Sequence, residues 1–175
     1  MKSHPEKRNM SMISSAYRRT ALSAVLTATA VILSPLYIPV GTTKCFPAQH
    51  MINGIAGVIL GPWYASMIAL TTGIIRNALG LGTIYAFPGG IPGAFIVGLL
   101  HIYIKNDYAA LTEPLGTVFI GATISALLFA PWQGHPFSLS FFWIAFASSS
   151  IPGSILGFIV LKALRRTGVI ERIVQ

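Results

Sequence analysis

Lys44, Cys45, Gln49 and His50 stand together in the stretch GTTKCFPAQH, Gly41 to His50, and Asn53 follows Gln49 by one helical turn. Proline is favoured at the first position of a helix. If Pro47 opens one, Gln49 and Asn53 share a face at i, i+4, and His50 and Asn53 are neighbours at i, i+3. Such neutral and basic groups can hold a polar small molecule. Cys45 has two readings, a small packing residue or a thiol nucleophile, and no base of demonstrable proximity activates it. A lone cysteine and a histidine five residues on cannot complete a zinc site.

Other groups extend this set. Arg76 and Asn77 end an apolar stretch, where the arginine either joins a site or reaches to lipid headgroups. Lys44 either complements a substrate group or sits in water. Tyr85, Phe87, Trp132 and Trp143 can stack on a flat ring, and they equally suit an interfacial aromatic belt. His101 and His135 receive no role. Paired carboxylates are missing: Glu6, Asp107 and Glu171 fall in tails or a loop, and Glu113 is expected at the inner mouth of a fifth helix. Acid–base hydrolysis and carboxylate-driven ion coupling therefore lack their usual groups. No G-x-x-x-x-G-K-[ST] loop is present, so active transport needs a separate ATP-using motor.

The elements that must position these residues are membrane helices. The chain has 175 residues, 54% hydrophobic and 9% charged, with a mean hydropathy of +0.71. That is too apolar for a soluble domain. Apolar stretches run over Thr20–Ile38, Pro47–Leu60, Pro62–Leu79, Pro88–Ile104, Pro114–Trp132 and Ser140–Leu164. A span needs about 20 residues, so five fit or nearly fit and the second is short. The expected fold is an all-α membrane protein with six transmembrane helices in a single domain, residues 20–164, between basic tails at 1–19 and 165–175.

The net charge of +8 is topological rather than a nucleic-acid signature. Of the 12 Lys and Arg residues, all but Lys44 and Arg76 fall in the two tails, at the end of the last span, or in the loop at Lys105. Positive residues stay inside, which puts both termini in the cytoplasm and the GTTKCFPAQH stretch outside. The N-terminus resembles a signal peptide, with Ala28-Thr29-Ala30 as a possible cleavage site. The apolar run continues to spanning length, so it reads as an uncleaved first helix.

Two patterns remain. IPGA at Ile91–Ala94 and IPGS at Ile151–Ser154 place Pro92 and Pro152 at matching depths in two spans. A proline within a helix frees the carbonyl four residues back, and paired interruptions point to a transport site; the alternative is a tolerated proline in a first turn and a chance likeness. On the first helix, Ala24-x-x-x-Ala28 offers a close-packing surface, a pattern common in membrane helices. The polar face of the second helix has its own alternative, which is interhelical hydrogen bonding without a ligand.

Taken in order, Gly41 to His50, then LGPWY at Leu60–Tyr64, Arg76-Asn77 and AFPGG at Ala86–Gly90 resemble the ThiW family, and the likeness runs from the first helix to the last. The family comprises S components of energy-coupling factor (ECF) transporters, associated with uptake of the thiazole precursor of thiamine. The resemblance implies a six-helix S-component fold, and partnership with a transmembrane T component and two ABC-type ATPases that use ATP. It implies no cofactor or metal in this chain, a coupling surface at Ala24 and Ala28, and a lid at Lys44 to Phe46.

The resulting expectation is a non-enzymatic, multi-pass membrane subunit that binds hydroxyethylthiazole. Gln49, His50, Asn53 and Asn77 would supply hydrogen bonds, Lys44 a lid or substrate contact, and Tyr85, Phe87 and Trp143 stacking. Alternatives are thiamine or another vitamin as substrate, a small intramembrane thiol enzyme using Cys45 and His50, and a ligand-free assembly protein.

Overall fold

The computed structural model describes residues 5–40, 43–134 and 137–174. His135 and the Gly41-Thr42 pair therefore lie outside the described residues. Helix α1 covers Pro5–Ile32 and a hairpin of strands β1 (Ile38–Val40) and β2 (Thr43–Cys45) follows. Then come α2 (Pro47–Leu60), α3 (Pro62–Ala78), α4 (Ala86–Ile104), α5 (Asp107–Trp132), α6 (Leu139–Arg166) and a short α7 (Val169–Val174). Among the described residues α4, α5 and α6 are long and apolar enough to cross a membrane by length and composition. Helices α2 and α3 have 14 and 17 residues, so the second stretch is short, as its sequence indicates.

The all-α expectation needs one correction, because the segment after α1 is an antiparallel hairpin in which Ile38 pairs with Cys45 and Pro39 with Lys44. Pro35 and Pro39 cannot continue a helix, and a proline in a two-stranded hairpin always sits on an edge, where it is tolerated. Helix α1 also reaches back to Pro5, through residues expected as a tail. Beyond Gly168, whose φ of 69° reverses the chain, α7 returns Ile170 to a buried cluster with Ile55, Val58 and Leu161.

Proline and glycine set the interior joints. Pro47 and Pro62 each start a helix, and Gly61 between α2 and α3 has φ 85°, a left-handed value costly for any side chain. Gly98 on α4 packs on that turn so closely that a Cβ there would overlap Pro62 N. Pro92 and Pro152 lie inside α4 and α6, and both helices continue through them. The carbonyl freed by Pro92 belongs to Pro88, and Gly121 of α5 lies directly against it.

Helix α5 is irregular: it opens with a 3-10 stretch at Asp107–Thr112 and widens into π turns at Leu115–Gly121 and Ser125–Phe129. Such turns in a helix commonly accompany functional sites. The main apolar core joins α2, α3 and α4 through Ile52, Ala56, Ala65, Ile68 and Ala94. Outward-facing Ile102, Leu127, Leu128, Ile144 and Ile159 are all exposed, which suits a lipid surround and not water.

Candidate functional site

A cavity of about 470 Å³ opens between the hairpin, α2, α3, α4 and α6. Each wall follows from a local structural choice. Pro47 fixes the start of α2 so that Gln49 and His50 face inward, while the register of β2 buries Cys45 and leaves Lys44 and Phe46 at the cavity. Cys45 Sγ lies 3.0 Å from Ser148 Oγ, and Phe46 N donates to Ser149 Oγ at 2.7 Å, so the hairpin is tied to α6.

Arg76, 2% exposed, donates from Nη1 to Gln49 Oε1, and its guanidinium stacks 4.1 Å from the centre of the Phe46 ring. Its backbone carbonyl accepts from Leu81 N and Gly82 N, which closes α3 beside the cavity. The headgroup-reaching alternative for Arg76 is thereby excluded: the side chain points into the protein. Gln49 Nε2, Arg76 Nε and Tyr85 Oη are all buried without a hydrogen-bond partner among the described residues. Buried polar atoms are costly when unpaired, and these three belong to side chains that line the cavity. Burial raises the Tyr85 phenol above its ordinary pKa, which keeps its proton in place.

The lining also includes a cluster of phenylalanines. Phe137 and Phe141 stack at 4.6 Å, Phe142 lies 5.0 Å from Tyr85, and Phe146 packs at the lip of Gly89. A flat ring fits beside such faces.

Glu113 requires the main correction. The sequence places it at an inner mouth, outside any site, but it is 0% exposed and sits directly behind His50. The helix starts at Asp107 rather than Pro114, which carries Glu113 into the span. His50 Nδ1 lies 2.7 Å from Glu113 Oε1, Asn53 Nδ2 donates to the same oxygen at 3.1 Å, and Thr117 Oγ1 lies 2.8 Å from it. Asn53 also donates to Gly90 O, and Thr117 to Gly89 O. A Cβ on Gly93 would strike both Glu113 and Thr117, so α4 must be bare there for the carboxylate to fit.

Of the residues singled out from sequence, Lys44, Gln49, His50 and Tyr85 line the cavity. Lys44 is exposed, with its ammonium 4.3 Å over Tyr37. Asn53 lies behind the wall, in the Glu113 cluster. Asn77 donates to Gly73 O and Thr83 O, holding the loop before α4 rather than facing the cavity. Phe87 packs on Gly73, and Trp143, 41% exposed, meets Phe119 edge-on away from the cavity. His101 reaches Asn106 O at 3.3 Å, outside the site. Ala24 and Ala28 are exposed on α1. Among the described residues no group of His, Cys, Asp and Glu could hold a metal ion.

Sequence reasoning missed Glu113, Thr117 and the phenylalanine cluster. Phe137, Phe141, Phe142 and Phe146 recur at helical spacing, a usable signal that is hidden in a chain rich in apolar residues.

Membrane-length helices around a preformed polar and aromatic cavity define a membrane protein with an internal cavity of small-molecule size. Residues 20–167 match the profile of the family described as thiamine-precursor transporter protein (ThiW), and the chain belongs to that family. No curated protein matches the chain.

Proposed function

We propose that this protein is the substrate-binding subunit of an ECF-type importer and that it takes up hydroxyethylthiazole. The observation that carries the reading is the cavity itself, lined by a cluster of phenylalanines together with Gln49, Arg76 and Tyr85, whose Nε2, Nε and Oη atoms have no hydrogen-bond partner among the described residues. Its volume is within the roughly 300–1,000 Å³ of small-molecule sites. A neutral heteroaromatic ring with a ring nitrogen and a hydroxyl meets both kinds of lining group.

In this reading all six helices span the membrane, both termini are cytoplasmic, and the hairpin at Lys44 to Phe46 closes over the substrate from outside. A transmembrane T component docks on the outward Ala24 and Ala28 face of α1, where small side chains allow close approach. Two ABC-type ATPases supply ATP hydrolysis, for which this chain has no phosphate loop.

The test is calorimetric titration of the detergent-purified protein with hydroxyethylthiazole, thiamine and the pyrimidine precursor, repeated on Asn53→Ala. Tight binding of the thiazole alone, weakened by the substitution, is the expected result. Binding of thiamine or the pyrimidine in its place overturns the substrate, and binding of none overturns the binding role.

A further inference from the structure

We infer that His50 Nε2 accepts the hydroxyl proton of the thiazole alcohol, and that Glu113 is the positioning residue that holds the imidazole in the tautomer able to accept it. This rests on the reading of the cavity as the thiazole site, and it adds the orientation of the substrate within it.

The argument starts from what Glu113 Oε1 receives. Asn53 Nδ2 can only donate, so at 3.1 Å the carboxyl oxygen is acting as acceptor. The same oxygen lies 2.7 Å from His50 Nδ1, and a proton on Nδ1 completes that contact. A neutral imidazole protonated on Nδ1 leaves Nε2 as a bare acceptor. His50 lines the cavity, and among the described residues its Nε2 has no protein hydrogen-bond partner. Carboxylates that orient a histidine through its far nitrogen fix both ring direction and tautomer.

Several acceptors near this position are already engaged, while the Thr83 and Tyr85 hydroxyls, which also line the cavity, can each donate or accept. Gln49 Oε1 is taken by Arg76, Ser149 Oγ by Phe46 N–H, and the carbonyls of Gly89 and Gly90 by Thr117 and Asn53. Arg76 Nε, Gln49 Nε2 and Tyr85 Oη are unspent donors. The substrate therefore presents its hydroxyl donor to His50, and its ring nitrogen, an acceptor, to these unspent donors. The ring lies between, against the phenylalanines.

Glu113 is buried at 0% exposure and separated from the cavity by His50, so it acts through the imidazole rather than by touching substrate. Its loss should alter which ligand is preferred, whereas a purely structural role would weaken all ligands alike.

The experiment measures the affinity of the purified full chain for three probes: hydroxyethylthiazole, the ethyl analogue lacking the hydroxyl, and the methyl ether, which keeps the oxygen but has no proton to donate. The wild-type protein is expected to bind the alcohol about 10- to 100-fold more tightly than either analogue, the loss of one buried hydrogen bond. In His50→Phe and Glu113→Leu that preference should shrink to within a few-fold, and Glu113→Gln, whose amide oxygen can still accept from Nδ1, should restore part of it. If Glu113→Leu does not fold, His50→Phe and Glu113→Gln still read the ratio. An ether that binds as well as the alcohol would show Nε2 donating and overturn the inference, as would equal binding of the ethyl analogue. Either of these results leaves the thiazole reading standing. A wild-type protein that binds none of the three overturns both.

Discussion

The guanidinium carbon of Arg76 lies 4.1 Å from the centre of the Phe46 ring, so α3 and the segment after the hairpin meet over the cavity. Arg76 is buried, and among the described residues it forms no ion pair with a carboxylate. Its contacts are an amide, a distant carbonyl and an aromatic face. The stack therefore couples a buried cation to the position of the segment that follows the hairpin.

Phe46→Ala should release that coupling. A cation–aromatic contact contributes about 0.5–2 kcal/mol, so hydroxyethylthiazole should bind roughly 2- to 30-fold more weakly. The change should fall mainly on dissociation, because a loosened hairpin lets ligand leave more readily. Stopped-flow displacement checks this, and an unchanged dissociation rate would remove the hairpin from the lid role.

Thr117 offers a test of the framework behind the site. Its hydroxyl donates to Gly89 O at 2.7 Å and lies beside Glu113 in a fully buried position. Thr117→Val keeps the shape and leaves Gly89 O short of a donor, at a cost of about 1–3 kcal/mol. Thr117→Ser keeps the hydroxyl and should cost less. Thermal unfolding in detergent should rank the three proteins wild type, Ser, Val.

The legible parts of this molecule were those set by local rules. Pro47, Pro62 and Gly61 mark helix starts and a turn that any sequence can advertise, and the short length of α2 follows from them. Gln49 and His50 were legible because polar residues stand out in an apolar run. Glu113 was not, because what makes its burial tolerable is His50 and Asn53, some 60 residues away in the chain. The hairpin was missed for another reason: only three residues pair on each side, too few for an alternating pattern to show. Trp143 and Phe87 illustrate the converse, since an aromatic near the outer end of a span is equally suited to lipid, to a neighbouring helix and to a ligand.

Close helix approach at the α2–α3 turn gives a third prediction. A methyl group at Gly98 would overlap backbone atoms of Gly61 and Pro62, which cannot swing aside as a side chain can. Gly98→Ala should force α4 away from the α2–α3 turn and destabilise the fold by about 1–3 kcal/mol or more. The measurement is the thermal midpoint in detergent. A variant as stable as wild type would show that this joint has slack.

Tyr85 separates folding from binding. Its Oη is buried with no hydrogen-bond partner among the described residues, so it stands there as an unpaired polar group. Tyr85→Phe removes that group and keeps the ring, which lies 5.0 Å from Phe142. The unliganded variant should therefore be as stable as wild type or more so, since deleting an orphaned buried hydroxyl relieves its desolvation cost. Ligand affinity should move in the opposite direction, falling about 5- to 100-fold if the phenol meets a substrate acceptor. Because burial raises the phenol pKa above its ordinary value of 10.0, this donor keeps its proton across neutral pH and somewhat beyond. The affinity difference between the wild-type protein and the Tyr85→Phe variant should then stay constant from pH 6 to pH 9, which are conditions chosen about 1 unit or more below the ordinary tyrosine value. Paired melting and titration measurements decide the matter: a stabilised variant with weakened binding places the Tyr85 hydroxyl against the ligand, and a stabilised variant with unchanged binding confines Tyr85 to packing against Phe142.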